Sequence, residues 1–257
     1  MAASAYIRKD RSQNDPPGTT NAMRQIFTTV LAGFLTLAAL PGIANERPVV
    51  VELFTSQGCP SCPPADAFLE QLAVRDDVLA LSLHVDYWDY IGWEDTFGSP
   101  DNTARQRGYA KANERKMVYT PQMIINGADH AVGTRLKDVS DLIDKHLARS
   151  GGDLSVELAE EDGMVHLTAR TPSPREMPLA VYLVRYLPEE TVEIERGENA
   201  GKTITYVNIV TGMQTLARWD TVERLELSFE RPGDAAAIAI LLQYEGHGTI
   251  EAVARLP

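Results

Sequence analysis

Residues 49–64 read Val49-Val50-Val51-Glu52-Leu53-Phe54-Thr55-Ser56-Gln57-Gly58-Cys59-Pro60-Ser61-Cys62-Pro63-Pro64. The apolar run at the start predicts a buried strand, and Gly58 predicts a turn after it. Phe68, Leu69 and Leu72 then recur at helical spacing, which predicts a helix after the second cysteine. The order is therefore strand, turn, Cys-x-x-Cys and helix.

Cys59 and Cys62 are the only cysteines of the chain, and their position at a predicted helix start favours redox chemistry. Unpaired N–H groups and the positive end of the helix dipole stabilise a thiolate at such a place. We therefore expect a lowered pKa for Cys59 and a resolving role for Cys62, which can attack a mixed disulfide. A bridge across two intervening residues adds little stability. A metal site and an inert disulfide at the helix start are the alternatives.

Length and charge bound the class of protein. The chain has 257 residues, of which 44% are hydrophobic, enough for one large domain or two ordinary ones. The formal net charge is −12, and no basic stripe is visible, so a nucleic-acid partner is not expected.

The first 44 residues are predicted to be a signal peptide with a leader. Arg24 precedes the mostly apolar run Ile26–Ala39, and Gly42-Ile43-Ala44 offers the small residues that a signal peptidase reads. An uncleaved membrane anchor is the alternative, but the run is too short to span a bilayer comfortably. Cleavage leaves 20 basic and 34 acidic side chains, a net charge of −14. We expect a periplasmic or secreted bacterial protein, in a compartment where disulfides persist.

A second predicted strand, Val78–Val85, ends in an aromatic segment. That segment reads His84-Val85-Asp86-Tyr87-Trp88-Asp89-Tyr90-Ile91-Gly92-Trp93. If the two strands are parallel, this segment lies at the same sheet edge as the cysteines, where α/β proteins bind ligands. Trp88 and Tyr87 are then candidates for a substrate platform, with His84 and Asp86 as supporting residues. The alternative is a loop that packs its own aromatic side chains.

The next segment predicts a helix, a hairpin and another helix. Ser99-Pro100 is typical of a helix start, and a helix is predicted over 101–116. Thr120-Pro121 precedes an apolar strand, and Asn126-Gly127 predicts a hairpin turn. An amphipathic helix follows over 136–148, and Ser150-Gly151-Gly152 predicts a domain boundary.

The order of elements over 49–150 resembles the thioredoxin superfamily and its glutaredoxin-like branch, with Cys59-Pro60-Ser61-Cys62 and Thr120-Pro121 as the specific marks. The resemblance implies an α/β thioredoxin-like domain over 45–150 and a cis Pro121 that faces the dithiol and, with Thr120, binds the substrate backbone. Gly133 matches one glycine of the pair that borders the glutathione site in glutaredoxins, and Val132 replaces the other. Glu52 is the nearest match to the acid that these proteins often bury behind the cysteines.

Three stretches are similar to a more specific family, the secreted bacterial thioredoxin-like proteins known as domain of unknown function 1223. They are Glu52–Cys59, Asp86–Trp93 and Tyr119–Gln122. This resemblance implies a fold for most of the mature chain and no established substrate.

Residues 151–257 predict a second domain, an antiparallel β-sandwich. Seven short strand-like runs are separated by turn residues: 154–158, 165–169, 179–186, 191–195, 203–210, 225–229 and 236–244. The glycine-rich segment Gly197–Thr203 lies between two strands, so we interpret it as a hairpin turn and not as a phosphate loop. His166 and His247 lack the spacing of metal ligands.

The predicted function is an extracytoplasmic thiol-disulfide oxidoreductase. Cys59 attacks, Cys62 resolves, Thr120-Pro121 positions the partner, and the aromatic loop and C-terminal domain select it. The expected partners are protein or small-molecule thiols and disulfides, without a cofactor or a resident metal. A protein that handles a soft metal such as Cu(I), with His84 as an added ligand, is one alternative. A secreted binding module on a degenerate thioredoxin scaffold is the other.

Overall fold

The computed structural model describes residues 48–149, 152–233 and 237–257. The predicted signal peptide over 1–44, Ser150 and Gly151 of the predicted boundary, and Ala236 lie outside these residues. The first half contains β1 (Val49–Thr55), α1 (Pro63–Ala73), β2 (Val78–His84), α2 (Pro100–Ala112), β3 (Gln122–Ile125), β4 (Asp129–Val132) and α3 (Leu136–Leu147). The second half contains β5 (Ser155–Glu161), β6 (Met164–Arg170), β7 (Leu179–Glu193), β8 (Thr203–Trp219), β9 (Leu225–Glu230), β10 (Ala237–Tyr244) and β11 (Ile250–Leu256).

Strands from both halves of the chain form one sheet. Its order is β11-β10-β7-β8-β2-β1-β3-β4, in which β1 runs parallel to β2 and β2 runs parallel to β8. The other pairs are antiparallel. The predicted boundary at 150/151 therefore does not separate two sheets, because β8 continues the sheet from the edge of β2.

The two faces of the large sheet are covered differently. Tyr109 of α2 packs on one face in a core that extends from β1 to β11. On the other face, α1 and α3 cover the first half, and the small sheet β5-β6-β9 covers strands of the second half. The fold is thus mixed α/β, with a large, mostly antiparallel sheet and a small second sheet packed on part of it.

The long hairpin β7–β8 differs from the sequence prediction. The run 179–186 and the first three residues of the run 191–195 belong to one strand of 15 residues, and β8 has 17 residues. The two strands pair from Leu179↔Trp219 to Glu193↔Thr203. The outer part of β7, including Glu189 and Glu190, is exposed, so its sequence lacks the apolar alternation that would reveal a strand. β11 was not among the predicted strands.

Two local predictions at the hairpin β3–β4 are confirmed. Asn126 and Gly127 both have positive φ, 51° and 68°, as a two-residue hairpin turn requires. The Thr120–Pro121 peptide bond is cis and directly precedes β3.

No helix of the described residues is long and apolar enough to cross a membrane.

A buried polar network joins β1, α2 and β10. Arg105 donates hydrogen bonds to both carboxylate oxygens of Glu52, to Tyr109 Oη and to Gln243 Oε1. Tyr109 Oη also donates to Glu52. All four residues are at most 7% exposed. The network is satisfied by its own members, so it holds the two halves of the chain together without an unpaired charge.

Candidate functional site

The two cysteines form a disulfide between β1 and α1. Their Cα atoms are 5.4 Å apart, and both residues have 0% exposure. Pro60 and Ser61, between them, are exposed. Ser61 Oγ lies 3.5 Å from Cys59 Sγ. The two cysteines that the sequence predicts to be a redox pair therefore form a disulfide, which lies below the surface.

The helix start differs from the expectation on which the Cys59 pKa was based. α1 begins at Pro63, and Cys62 is its N-cap. Pro63 and Pro64 have no N–H group, and the next two amides, of Ala65 and Asp66, donate to the Cys62 carbonyl at 2.8 and 3.1 Å. The expectation that free helix N–H groups converge on Cys59 is therefore wrong, because the two prolines remove these donors and Cys62 occupies the helix end.

The cis-proline loop lies against the first turn of α1. β3 pairs with β1 so that Gln122 opposes Phe54, which brings Pro121 to the end of β1. The segment 56–62, which we call the cysteine turn, begins there and leads to α1. A Cβ atom on Gly133 would lie 2.9 Å from Ala65 Cβ and 3.1 Å from Pro121 Cβ. The glycine thus lets α1 and the cis-proline loop approach each other.

Trp88 connects the cysteine turn with Thr120. Its indole Nε1 donates to Thr120 Oγ1 at 2.8 Å, and its Cβ would be 3.1 Å from a Cβ atom on Gly58. Tyr87 points to α2, where its hydroxyl donates to Gln106 Oε1 at 3.1 Å, and burial raises the pKa of Tyr87. The structure therefore brings Trp88, Thr120 and Pro121 to the edge of the cysteine turn, and the Tyr87 hydroxyl interacts with Thr120 as well as with Gln106 of α2.

The aromatic loop is attached to the cysteine turn through Gln57. The backbone N–H of Gln57 donates to Asp95 Oδ2 at 2.8 Å, and the side-chain oxygen of Gln57 accepts from Trp93 Nε1 at 2.8 Å. Asp95 Oδ2 also lies 2.8 Å from His84 Nδ1, and both side chains have 0% exposure. Burial alone would raise the pKa of Asp95, but the charge and hydrogen bond of His84 hold it below its usual range. His84 is therefore a buried partner of Asp95 that does not reach the surface.

Asp66 is a buried acid that the sequence analysis did not single out. Its Oδ1 accepts from Thr55 Oγ1 at 2.7 Å, and burial raises its pKa to about 7. Asp66 shares the apolar stripe of α1 with Leu69, and an acid on such a stripe is the signal that was available. Several buried polar atoms have no hydrogen-bond partner among the described residues, including Asp66 Oδ2, Ser82 Oγ, His84 Nε2 and Tyr206 Oη.

Glu52, the sequence-based choice for this acid, lies on the opposite face of the sheet. Side chains alternate along β1, so Thr55 points to α1, whereas Glu52 points with Val50 and Phe54 to the α2 face. There Glu52 pairs with Arg105. Glu52 therefore cannot support the cysteines.

Asp86 anchors the aromatic loop to α2, because its Oδ1 accepts from Thr103 Oγ1 at 2.6 Å.

A residue far along the sequence completes the site. Asn199, in the turn between β7 and β8, donates from Nδ2 to the carbonyl oxygens of Gln57 at 2.8 Å and of Cys59 at 2.9 Å. It is 1% exposed. The segment around it is a turn between two strands, as predicted, but nothing in the sequence shows that this turn reaches a cysteine 140 residues earlier.

The described residues contain no group of three or more His, Cys, Asp or Glu side chains arranged to hold a metal ion. His84 is committed to Asp95 through Nδ1. A soft metal would thus depend on the two thiolates of the reduced pair.

Comparison with known proteins places this chain in a family. A solved structure of protein AGR_C_4864 from Agrobacterium tumefaciens is 33% identical, with a TM-score of 0.71, and the match covers 81% of this chain and 93% of that one. HBP35 of Porphyromonas gingivalis is 13% identical with a TM-score of 0.60 over 82% of this chain and 75% of that one, a likeness of fold alone. No curated protein matches. The family model described as "Protein of unknown function (DUF1223)" matches residues 50–243, and the chain belongs to this family.

Proposed function

We propose that this protein is an extracytoplasmic thiol-disulfide oxidoreductase with a thioredoxin-like N-terminal half, and that Cys59 and Cys62 are its redox pair. The observation that carries the proposal is the disulfide at the strand–helix junction, bordered by the cis Thr120–Pro121 loop. The signal-like segment over 1–44 supports an exported protein in an oxidising compartment.

The chemistry is an exchange of disulfide bonds in two steps. In the reduced protein, the Cys59 thiolate attacks one sulfur of a partner disulfide, a Cys59–partner bond forms, and the other partner sulfur leaves as a thiolate. Cys62 then loses its proton and attacks Cys59 Sγ, which forms the Cys59–Cys62 bond and releases the second partner thiolate. The partner gains the two electrons that the dithiol loses. The reverse sequence oxidises a partner dithiol.

In this proposal, Asp66 accepts the proton of Cys62. It follows Cys62 by one helical turn, and residues four apart share one face of a helix. Its pKa of about 7 lets it accept and return a proton near neutral pH. A carboxyl with an ordinary pKa would be a poor acceptor for a thiol proton, so the burial of Asp66 has a chemical consequence.

Trp88, Thr120 and Pro121 form the edge at which a partner docks. Thr120 carries the indole of Trp88 through a 2.8 Å hydrogen bond, so the ring spans from the cysteine turn to the loop that precedes β3. In this proposal, the partner backbone lies along the Thr120–Pro121 loop and its cysteine faces Cys59.

One observation favours a second candidate function. Both cysteines are completely buried, as expected for an inert disulfide in a secreted binding module. In that case the pair stabilises the loop before α1, and Trp88 belongs to a binding surface without redox chemistry.

The reduction potential of the Cys59–Cys62 pair distinguishes these functions. Equilibration of the full exported chain with dithiothreitol at pH 7 should give a potential above about −300 mV, the region of labile and catalytic pairs. The reduced Cys62→Ser variant should form a stable mixed disulfide with a model peptide disulfide. The matched Cys59→Ser variant should form little, because in this proposal Cys59 is the attacking thiol and Cys62, the N-cap of α1, only resolves the mixed disulfide. A potential below about −300 mV, in the range of structural disulfides, would leave the binding module as the function.

A further inference from the structure

We propose that Asn199 is a positioning residue that latches the β7–β8 turn over Cys59, and that this turn must move away before Cys59 exchanges with a partner. The inference rests on the proposed function and adds to it a specificity element from the C-terminal half. We call the Asn199 side chain, with its contacts to Gln57 and Cys59, the Asn199 latch.

The buried Asn199 side chain makes three hydrogen bonds, of which two form the latch. Nδ2 of Asn199 donates to Gln57 O and Cys59 O, at 2.8 and 2.9 Å, and uses both of its hydrogens. Oδ1 accepts from Lys202 Nζ at 2.8 Å. The amide is thereby fixed in orientation, and its two donors face the backbone on which Cys59 sits.

Asn199 is an exception within an exposed turn. Its neighbours Glu195, Arg196 and Glu198 are exposed, whereas Asn199 is 1% exposed. The base of the turn is closed by the hydrogen bonds Ile194 N to Lys202 O and Gly201 N to Ile194 O, at 2.9 and 2.7 Å. The turn is therefore a preformed unit, and the Asn199 latch attaches its tip to the cysteine turn.

A second contact seats the turn beside the aromatic loop. A Cβ atom on Gly197 would lie 3.1 Å from Trp93 Cβ, and Gly197 has φ of 78°, so a larger residue would push the turn away. Trp93 in turn donates to Gln57. The aromatic loop and the β7–β8 turn thus enclose the Gln57–Cys59 backbone from two sides.

The exposed outer part of β7 lowers the free energy needed to displace the turn. Residues 188–191 are all exposed, and a segment with few buried contacts opens at a lower free energy than a core strand. Since Cys59 is 0% exposed, an attacking thiolate cannot reach its sulfur in the closed arrangement. A partner that displaces the turn gains access, and a small thiol must wait for spontaneous opening.

The test compares the oxidised full-length protein with two matched variants, Asn199→Asp and Asn208→Asp. Asn208 lies in β8 and its Nδ2 donates to Ala80 O at 2.9 Å, so both substitutions replace amide donors to a backbone carbonyl with a carboxylate of the same shape. The measurement is the rate of disulfide reduction by excess dithiothreitol at fixed pH. Asn199→Asp should be reduced about tenfold faster, which is the order expected when two buried hydrogen bonds are lost. Asn208→Asp should stay within about twofold of the parent.

The design separates a latch from general destabilisation. An added carboxylate near Cys59 repels an incoming thiolate, so faster reduction of Asn199→Asp would occur against that repulsion. The Asn199→Ala variant, without the charge, should be faster still. Unchanged rates in both Asn199 variants, or an equal acceleration in Asn208→Asp, would overturn the latch. The equilibrium potential is measured separately, so a potential in the structural range would remove the proposed function while a specific rate effect of Asn199 would still stand.

Discussion

The ionisation of Asp66 is the residue-scale property with the largest consequence. Thr55 donates one hydrogen bond to its carboxyl group, but Oδ2 has no partner among the described residues. Burial therefore favours the neutral acid and raises the pKa to about 7. An unfolded Asp has a pKa near its ordinary value of 3.8, so folding raises the proton affinity of this group.

This shift predicts that Asp66 lowers the stability of the protein as the pH rises. Below about pH 4 the carboxyl is protonated in both states; between about pH 4 and 7 only the unfolded state loses its proton, so the free energy of unfolding falls. The loss approaches about 4 kcal/mol as an upper estimate for a shift of about three pKa units. Asp66→Asn lacks this loss, so its stability gain should be small at pH 4.5 and several-fold larger at pH 8 in urea denaturation.

A matched substitution on the same helix is the control. Glu70 is exposed on α1, and Glu70→Gln should change stability by less than about 0.5 kcal/mol at both pH values. If Asp66→Asn gave the same gain at pH 4.5 and pH 8, the carboxyl would not be protonated near neutral pH and its role towards Cys62 would be lost.

At the scale of elements, the site depends on close approach between α1 and the cis-proline loop. Gly133 lies at this contact, and its amide donates to Pro121 O at 2.9 Å. The sequence comparison with glutaredoxins drew attention to Gly133 because of a ligand. The structure gives it a packing reason as well, since Ala65 leaves no room for a side chain.

Gly133→Ala should separate the cis-proline loop from α1. A methyl group 2.9 Å from Ala65 Cβ and 3.1 Å from Pro121 Cβ requires a shift, and overpacking of this kind costs about 1–3 kcal/mol. A Cβ atom on Gly233 would have no other atom within 4 Å. Gly233→Ala is therefore the control and should leave the free energy of unfolding nearly unchanged. The measurements are the free energy of unfolding and the rate of exchange with a peptide disulfide. Normal exchange in Gly133→Ala would show that the loop position is unimportant for partners.

At the scale of the whole molecule, the two halves of the chain share a sheet and a buried ion pair. β8 extends the sheet from β2, and Arg105 bridges Glu52 of β1 and Gln243 of β10. Burial lowers the pKa of a guanidinium, but the carboxylate of Glu52 more than offsets this for Arg105 and raises its pKa. The described halves are therefore expected to unfold together.

Arg105→Met should destabilise the protein strongly because it leaves the Glu52 carboxylate buried without its cation. Removing one partner of a buried pair costs about 3–5 kcal/mol. Arg75 pairs with Asp77 with both side chains about one third exposed, so Arg75→Met should cost less than about 1 kcal/mol. Urea denaturation followed by tryptophan fluorescence and circular dichroism should give a single coincident transition for the parent. Two separate transitions would contradict the coupling of the halves through this network.

Local sequence patterns were sufficient to predict the features that depend on residues close together in the sequence. The buried strand before the cysteines, the helix after them, the Asn126-Gly127 turn and the amphipathic α3 follow from apolar period and turn chemistry. The cis state of Pro121 was predicted from a resemblance, and the structure has it. Glu52 was misassigned because the sequence shows that an acid is buried but not which face of the sheet it occupies.

The remaining features depend on contacts between distant parts of the chain. β11 and the outer half of β7 have no clear alternation, because their strand character comes from pairing with β10 and β8. The helix start is the exception, because Pro63 and Pro64 stand in the sequence itself and remove the N–H groups that the dipole argument assumes. Asn199 reaches Cys59 only because β7 and β8 form a long hairpin in the same sheet as β2. Sequence patterns specify local conformation and burial, whereas the partner of a buried polar group is fixed by the packing of the complete chain.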